Sequence, residues 1–181
     1  MKKTIVIVIT TILMSIFSLY PTLCNAQPYG KGLYDSDIPY GSQTSLSIIT
    51  DGDVDIPITP TNNGALVTGI NLVTVTSSDV KGYKLYIRAL SDTNLNNYGA
   101  ILPASSNGSP APLSINTWGY NTDSSTNYVG VTLSDVLIKS VSSPVKNGDV
   151  TSVRYGIYID LSKPAGNYST TVIYTAVPQT D

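Results

Sequence analysis

The sequence predicts an all-β fold: an antiparallel β-sandwich, immunoglobulin-like or Greek-key, of about 8–10 strands, with a closed barrel as the alternative. Three observations lead there. From Thr44 onward the chain is a series of short runs rich in Val, Ile, Thr and Tyr, each bounded by Gly, Pro, Asn, Asp or Ser. Two of these runs alternate strictly between apolar and polar residues. No stretch of 12 or more residues carries the apolar stripe of a helix.

Taken from the N-terminus, residues 1–26 read as a secretory signal. Lys2 and Lys3 precede an apolar run from Ile5 to Leu19, Tyr20-Pro21 breaks it, and Cys24-Asn25-Ala26 offers small residues before a cut ahead of Gln27. The run is shorter than the roughly 20 residues that span a bilayer, so no membrane association is expected after cleavage. Residues 27–43 are rich in Gly, Pro and Tyr without a steady period and read as a flexible N-terminal arm. Residues 44–181 form the sandwich domain.

Within that domain Ser45–Thr50 and Val54–Thr59 read as strands flanking an Asp51-Gly52-Asp53 hairpin turn. Leu66–Thr76 is a long run with a bend expected at Gly69. In Tyr83–Leu90, Tyr83, Leu85, Ile87 and Ala89 share one face. A loop region from Ser91 to Pro112 holds at most a short strand near Tyr98–Leu102. Leu113–Tyr120 and Tyr128–Leu133 read as strands around an Asn121–Ser125 turn, and Val136–Val141 is ambiguous. In Ser152–Asp160, Val153, Tyr155, Ile157 and Ile159 face one way, and Tyr168–Val177 is the closing strand.

Composition narrows function. There is no histidine and no glutamate, and the single cysteine, Cys24, lies inside the signal. The exported part therefore lacks the commonest proton shuttle and the thiol nucleophile, and no enzyme activity, cofactor or metal is expected. Loss of Lys2 and Lys3 leaves eight basic residues against twelve aspartates, a net charge of −4. With the basic residues scattered, no nucleic acid partner is expected.

Four local patterns invite a chemical reading. Asp51-Gly52-Asp53-Val54-Asp55 starts like a calcium loop, but Ile56 and Asn62 occupy the positions that loop gives to Gly and Glu, so a solvated turn is expected. Trp118 and Tyr120 share a strand face. Trp118 reads first as the core residue around which a sandwich packs, with the alternative that the pair forms an aromatic platform for sugars or a partner. Tyr29, Tyr34 and Tyr40 in the arm are further contact candidates, since tyrosine suits interfaces. Ser78-Asp79-Val80-Lys81 matches a Ser-x-x-Lys spacing but falls in a turn, where that chemistry has no helix to work from. Lys81, Lys84, Lys139, Lys146 and Lys163 would permit an isopeptide bond only beside a buried carboxyl.

The closing region, Asp160-Leu161-Ser162-Lys163-Pro164-Ala165-Gly166-Asn167-Tyr168 and the Thr/Val-rich run after it, resembles the last strands of secreted bacterial surface β-sandwiches, including pilin and spore-coat-like domains. With Trp118-Gly119-Tyr120 the chain is loosely similar to WxL-type wall proteins. Gly119-Tyr120 after the tryptophan departs from that motif, so peptidoglycan binding is not implied. The C-terminal Val177-Pro178-Gln179-Thr180-Asp181 carries no sortase signal. The export signal, the all-β pattern, the tyrosine-bearing arm and the missing catalytic residue types lead to the expectation of a secreted, non-catalytic cell-surface protein acting in adhesion or filament assembly. Its partner would be a surface or matrix component, or a second copy engaged through the arm. A carbohydrate-binding module using exposed aromatics is the alternative.

Overall fold

The computed structural model describes residues 45–179, and all regular structure among them is β. Nine strands form: β1 (Ser45–Thr50), β2 (Ala65–Ser78), β3 (Gly82–Ala89), β4 (Leu95–Asn97), β5 (Ala100–Leu102), β6 (Thr117–Asn121), β7 (Val136–Val141), β8 (Asp149–Ile159) and β9 (Val172–Gln179). A four-stranded sheet runs β1-β2-β8-β6, a three-stranded sheet runs β7-β3-β9, and β4-β5 is a separate hairpin. Every strand pairing is antiparallel. This is the expected sandwich, and its signal peptide and arm expectations lie outside the described residues.

Alternation builds the core. Tyr83, Leu85, Ile87 and Ala89 on β3 are all at most 1% exposed, as their spacing requires of one inward face. They meet Val73 and Val75 of β2, Val153, Tyr155 and Ile159 of β8, and Trp118 and Tyr120 of β6 in one cluster. From β2 the chain passes to the other sheet at β3, returns at β6, and changes sheet again at β7, β8 and β9. Long-range pairing of this kind explains where local reading fails.

Val54–Thr59 is not a strand, and Asp51-Gly52-Asp53 is not a hairpin turn: β1 pairs instead with the distant end of β2, Thr50 facing Val73. Val54, Ile56 and Ile58 do point inward, but Pro57 and Pro60 lack ladder donors, and the segment packs on the core without joining a sheet. The room comes from Gly69, where an added Cβ would lie 2.5 Å from Val54 Cγ1 and 2.8 Å from Ile56 Cγ1. Gly69 therefore marks a close approach and no bend, since β2 stays in register with β8 through the Gly69–Tyr155 pair. Tyr128–Leu133 likewise is no strand. It contributes single bridges, Tyr128 to Ala111 and Val129 to Tyr120. Strand β6 starts only at Thr117, because Asn116 sits at φ 64° and ends the preceding turn. Val136–Val141, ambiguous in sequence, pairs with β3.

Candidate functional site

The aromatic pair singled out by the sequence is interior. Trp118 and Tyr120 are each 3% exposed on the inward face of β6. Trp118 donates its indole N–H to the Thr93 carbonyl at 2.9 Å, and its ring centroid lies 6.2 Å from that of Tyr155. Burial pushes the Tyr120 phenol above its ordinary pKa. A sugar cannot stack on rings that the core already covers, so the platform reading of these two residues is corrected to a packing role. Tyr29, Tyr34 and Tyr40 lie outside the described residues.

Three aspartates, Asp51, Asp149 and Asp160, tie elements of the fold together. Asp51 Oδ1 accepts from Asn71 Nδ2 at 2.7 Å and from the Leu72 backbone at 2.9 Å, tying the end of β1 to β2. Asp149 on β8 accepts from the Tyr83 hydroxyl and from Lys139 Nζ, both at 2.7 Å, so a carboxylate of one sheet joins two strands of the other. Burial works to raise the Asp149 pKa, but the Lys139 and Tyr83 hydrogen bonds and the lysine charge outweigh it and hold the carboxyl below its ordinary value. Asp160 Oδ1 accepts from Asn116 Nδ2 and from the backbone and hydroxyl of Ser162. Ser78-Asp79-Val80-Lys81 forms the turn between β2 and β3, as expected, with Asp79 at φ 55°.

Two surfaces have contact character. The first is the rim and outer face at β1. Of the strands that end a sheet, β6 is covered by bridges to Ala104 and Val129, β7 carries Lys139 opposite an irregularity at Leu85/Tyr86, and β9 holds Pro178. Strand β1, Ser-Leu-Ser-Ile-Ile-Thr, has neither charge nor proline nor bulge, the devices that protect a sheet edge from pairing. Beside it the outward positions of β2 and β8 expose Leu66 (46%), Ile70 (47%), Leu72 (42%) and Val150 (54%), and β1 itself adds Ile49 (65%). Their cross-strand registers set them on one face, with Arg154 its single charged side chain.

The second surface is at the β4-β5 hairpin. Asn97 and Ala100 pair, and the two residues between them, Tyr98 and Gly99, have φ of 44° and 101°. That is the two-residue turn with both centres left-handed, a geometry made for Asn-Gly. Tyr98 there is fully exposed, at 107%. A depression of about 670 Å³ opens beside it, lined by Asn96, Asn97, Gly166, Asn167 and Ser169. Sequence reading missed this site by treating Tyr98 as the start of a strand. The usable signal was Gly99 following it, since a Gly just after an Asn-rich segment and before a short apolar run marks a turn.

No family model matches the chain, and no curated protein matches it.

Proposed function

We propose that this chain is an exported bacterial surface protein that works by contact and self-assembly without catalysis. The observation that carries the reading is the unprotected edge of β1, bordered by an outer face with one charged side chain. Among the described residues β1 pairs on one side only, with β2, and a strand edge with no charge to repel a neighbour is a template for an added strand. The donor is the 27–43 segment of a second copy, which ends immediately before β1 in the sequence and brings Tyr29, Tyr34 and Tyr40 as side chains able to lie on an apolar face. Support also comes from the secretory pattern of residues 1–26 and from the missing His, Glu and exported Cys. The resemblance of residues 160–176 to the closing strands of pilin and spore-coat-like domains agrees with it.

Sedimentation velocity over a concentration series, with negative-stain electron microscopy, tests the proposal. The exported protein forms oligomers or filaments. Removal of residues 27–43, or the double substitution Ser47→Lys and Ile49→Lys, yields monomer with unchanged circular dichroism. A protein that stays monomeric at all concentrations, or an assembly untouched by both changes, overturns it.

A further inference from the structure

Tyr98 combines two features that seldom occur together without a reason. Its backbone is left-handed at φ 44°, which is strained for a non-glycine residue, and its ring gains no packing in return because it is fully exposed. Folding alone would favour Asn or Gly at that turn position. An aromatic held out at a tight hairpin tip gives an accessible apolar plate with a polar hydroxyl end.

The ground beside the plate is built. Asn96 exchanges two backbone hydrogen bonds with Ser169, at 2.9 and 3.1 Å, so the hairpin is tied to the loop leading into β9. Lys163 Nζ donates to the Ile101 carbonyl at 2.9 Å, fixing the other end of that loop to β5 and engaging the cation away from the depression. Asn97 Nδ2 reaches the Ala165 carbonyl at 3.4 Å and fills the space where a side chain at Gly166 would stand. Asn96 Nδ2 donates to Asp92 Oδ2 at 2.8 Å and to the Asn94 carbonyl at 3.1 Å, which uses both its N–H groups and leaves Oδ1 to accept. The walls are thus held in place without a ligand, and they present amides and a hydroxyl and no charged side chain.

From this geometry we infer that the Tyr98 tip and the Asn96–Asn97–Asn167–Ser169 depression form a binding site for neutral saccharides. A pyranose has one face of C–H bonds, which stacks on an exposed aromatic ring, and a rim of hydroxyls, which pair in both donor and acceptor senses with primary amides. No charged side chain lines the depression, so an anionic ligand would meet no counter-charge in its walls. The volume of about 670 Å³ lies within the about 300–1,000 Å³ of small-molecule sites.

The site is separate from β1, so it is tested on the exported protein and on the Ser47→Lys/Ile49→Lys protein, and failure here leaves the assembly proposal standing. Isotope-labelled protein is titrated with chitohexaose, cellohexaose, mannohexaose and xylohexaose, following backbone amide shifts. The expected result is saturable binding of at least one hexaose at micromolar to millimolar concentration, with shifts centred on residues 96–99 and 165–169. Tyr98→Ala weakens it by about 10-fold or more, some 1.4 kcal/mol, while Tyr98→Trp retains it. Tyr98→Gly loses binding and leaves the melting temperature equal or higher, since the turn strain is relieved. Absence of saturable shifts with all four hexaoses overturns the inference, as does binding indifferent to Tyr98→Ala.

Discussion

The hydroxyls of Tyr155 on β8 and Tyr174 on β9 meet at 2.5 Å and join the two sheets of the sandwich. Both rings pack in or against the core, so the phenols stay neutral because ionisation there would strand a charge. Burial, followed by the paired hydroxyl and nearby Tyr120, drives the Tyr155 pKa far above its ordinary value, and burial pushes Tyr174 up to about 12. Burial and the adjacent Asp149 raise Tyr83 as well.

These phenols make the fold sensitive to alkali. An unfolded tyrosine ionises near pH 10, whereas the folded state resists ionisation at these positions. The stability they contribute is therefore complete below pH about 10 and falls as pH climbs from there through about 12. Absorbance at 295 nm and circular dichroism, recorded together against pH, check this. Part of the phenolate signal arrives only with loss of the β signal, and in Tyr155→Phe that part shrinks.

Asp149 gives the opposite limb. Its lowered pKa means a contribution present above pH about 4 and lost as pH falls through the folded value beneath that. Lys139→Met removes the 2.7 Å partner and costs about 1 kcal/mol at neutral pH, as suits a partly exposed pair. Urea denaturation at pH 7 and pH 3 checks this: the gap between the two proteins narrows at the lower pH.

Trp118 is a structural residue on this account. Trp118→Ala loses about 3–5 kcal/mol of unfolding free energy, with Trp118→Phe intermediate. Tryptophan emission of the wild-type protein is expected to be blue-shifted and poorly quenched by iodide, whereas a surface platform would give red-shifted, readily quenched emission.

Gly156 allows the Tyr128 ring, 2% exposed, to lie directly over β8, where an added Cβ would stand 2.6 Å from the ring edge. Gly156→Ala therefore costs about 1–3 kcal/mol in thermal or chemical unfolding. Gly69→Ala is destabilising as well, because the new Cβ would meet Cγ1 of Val54 and Cγ1 of Ile56, β-branched side chains with little χ1 freedom to turn aside.

Most of the sandwich was legible because a half-buried strand writes its two faces into the sequence. The Tyr83-Leu85-Ile87-Ala89 and Val153-Tyr155-Ile157-Ile159 alternations predicted their inward faces correctly. Alternation alone could not separate a strand from an extended cover, so Val54-Ile56-Ile58 was given a ladder it lacks. The pairing of β1 with residues 73–78 was equally hidden, since it depends on contacts far along the chain. The contact surfaces were illegible for a different reason. An exposed Tyr98 and a buried Tyr120 look alike in a sequence, and only the turn geometry and the sheet order separate them.

The central claim is that residues 27–43 of one copy lie along β1 of another. The sequence after Ala26 has no cysteine, so a disulfide can be placed at will. Protein carrying Tyr34→Cys is mixed with isotope-labelled protein carrying Ile49→Cys and oxidised, beside a control pairing Tyr34→Cys with Cys at exposed Leu133. The account predicts mixed-isotope dimers linked through positions 34 and 49 well above the control. Equal cross-linking to both positions, or none, would contradict it.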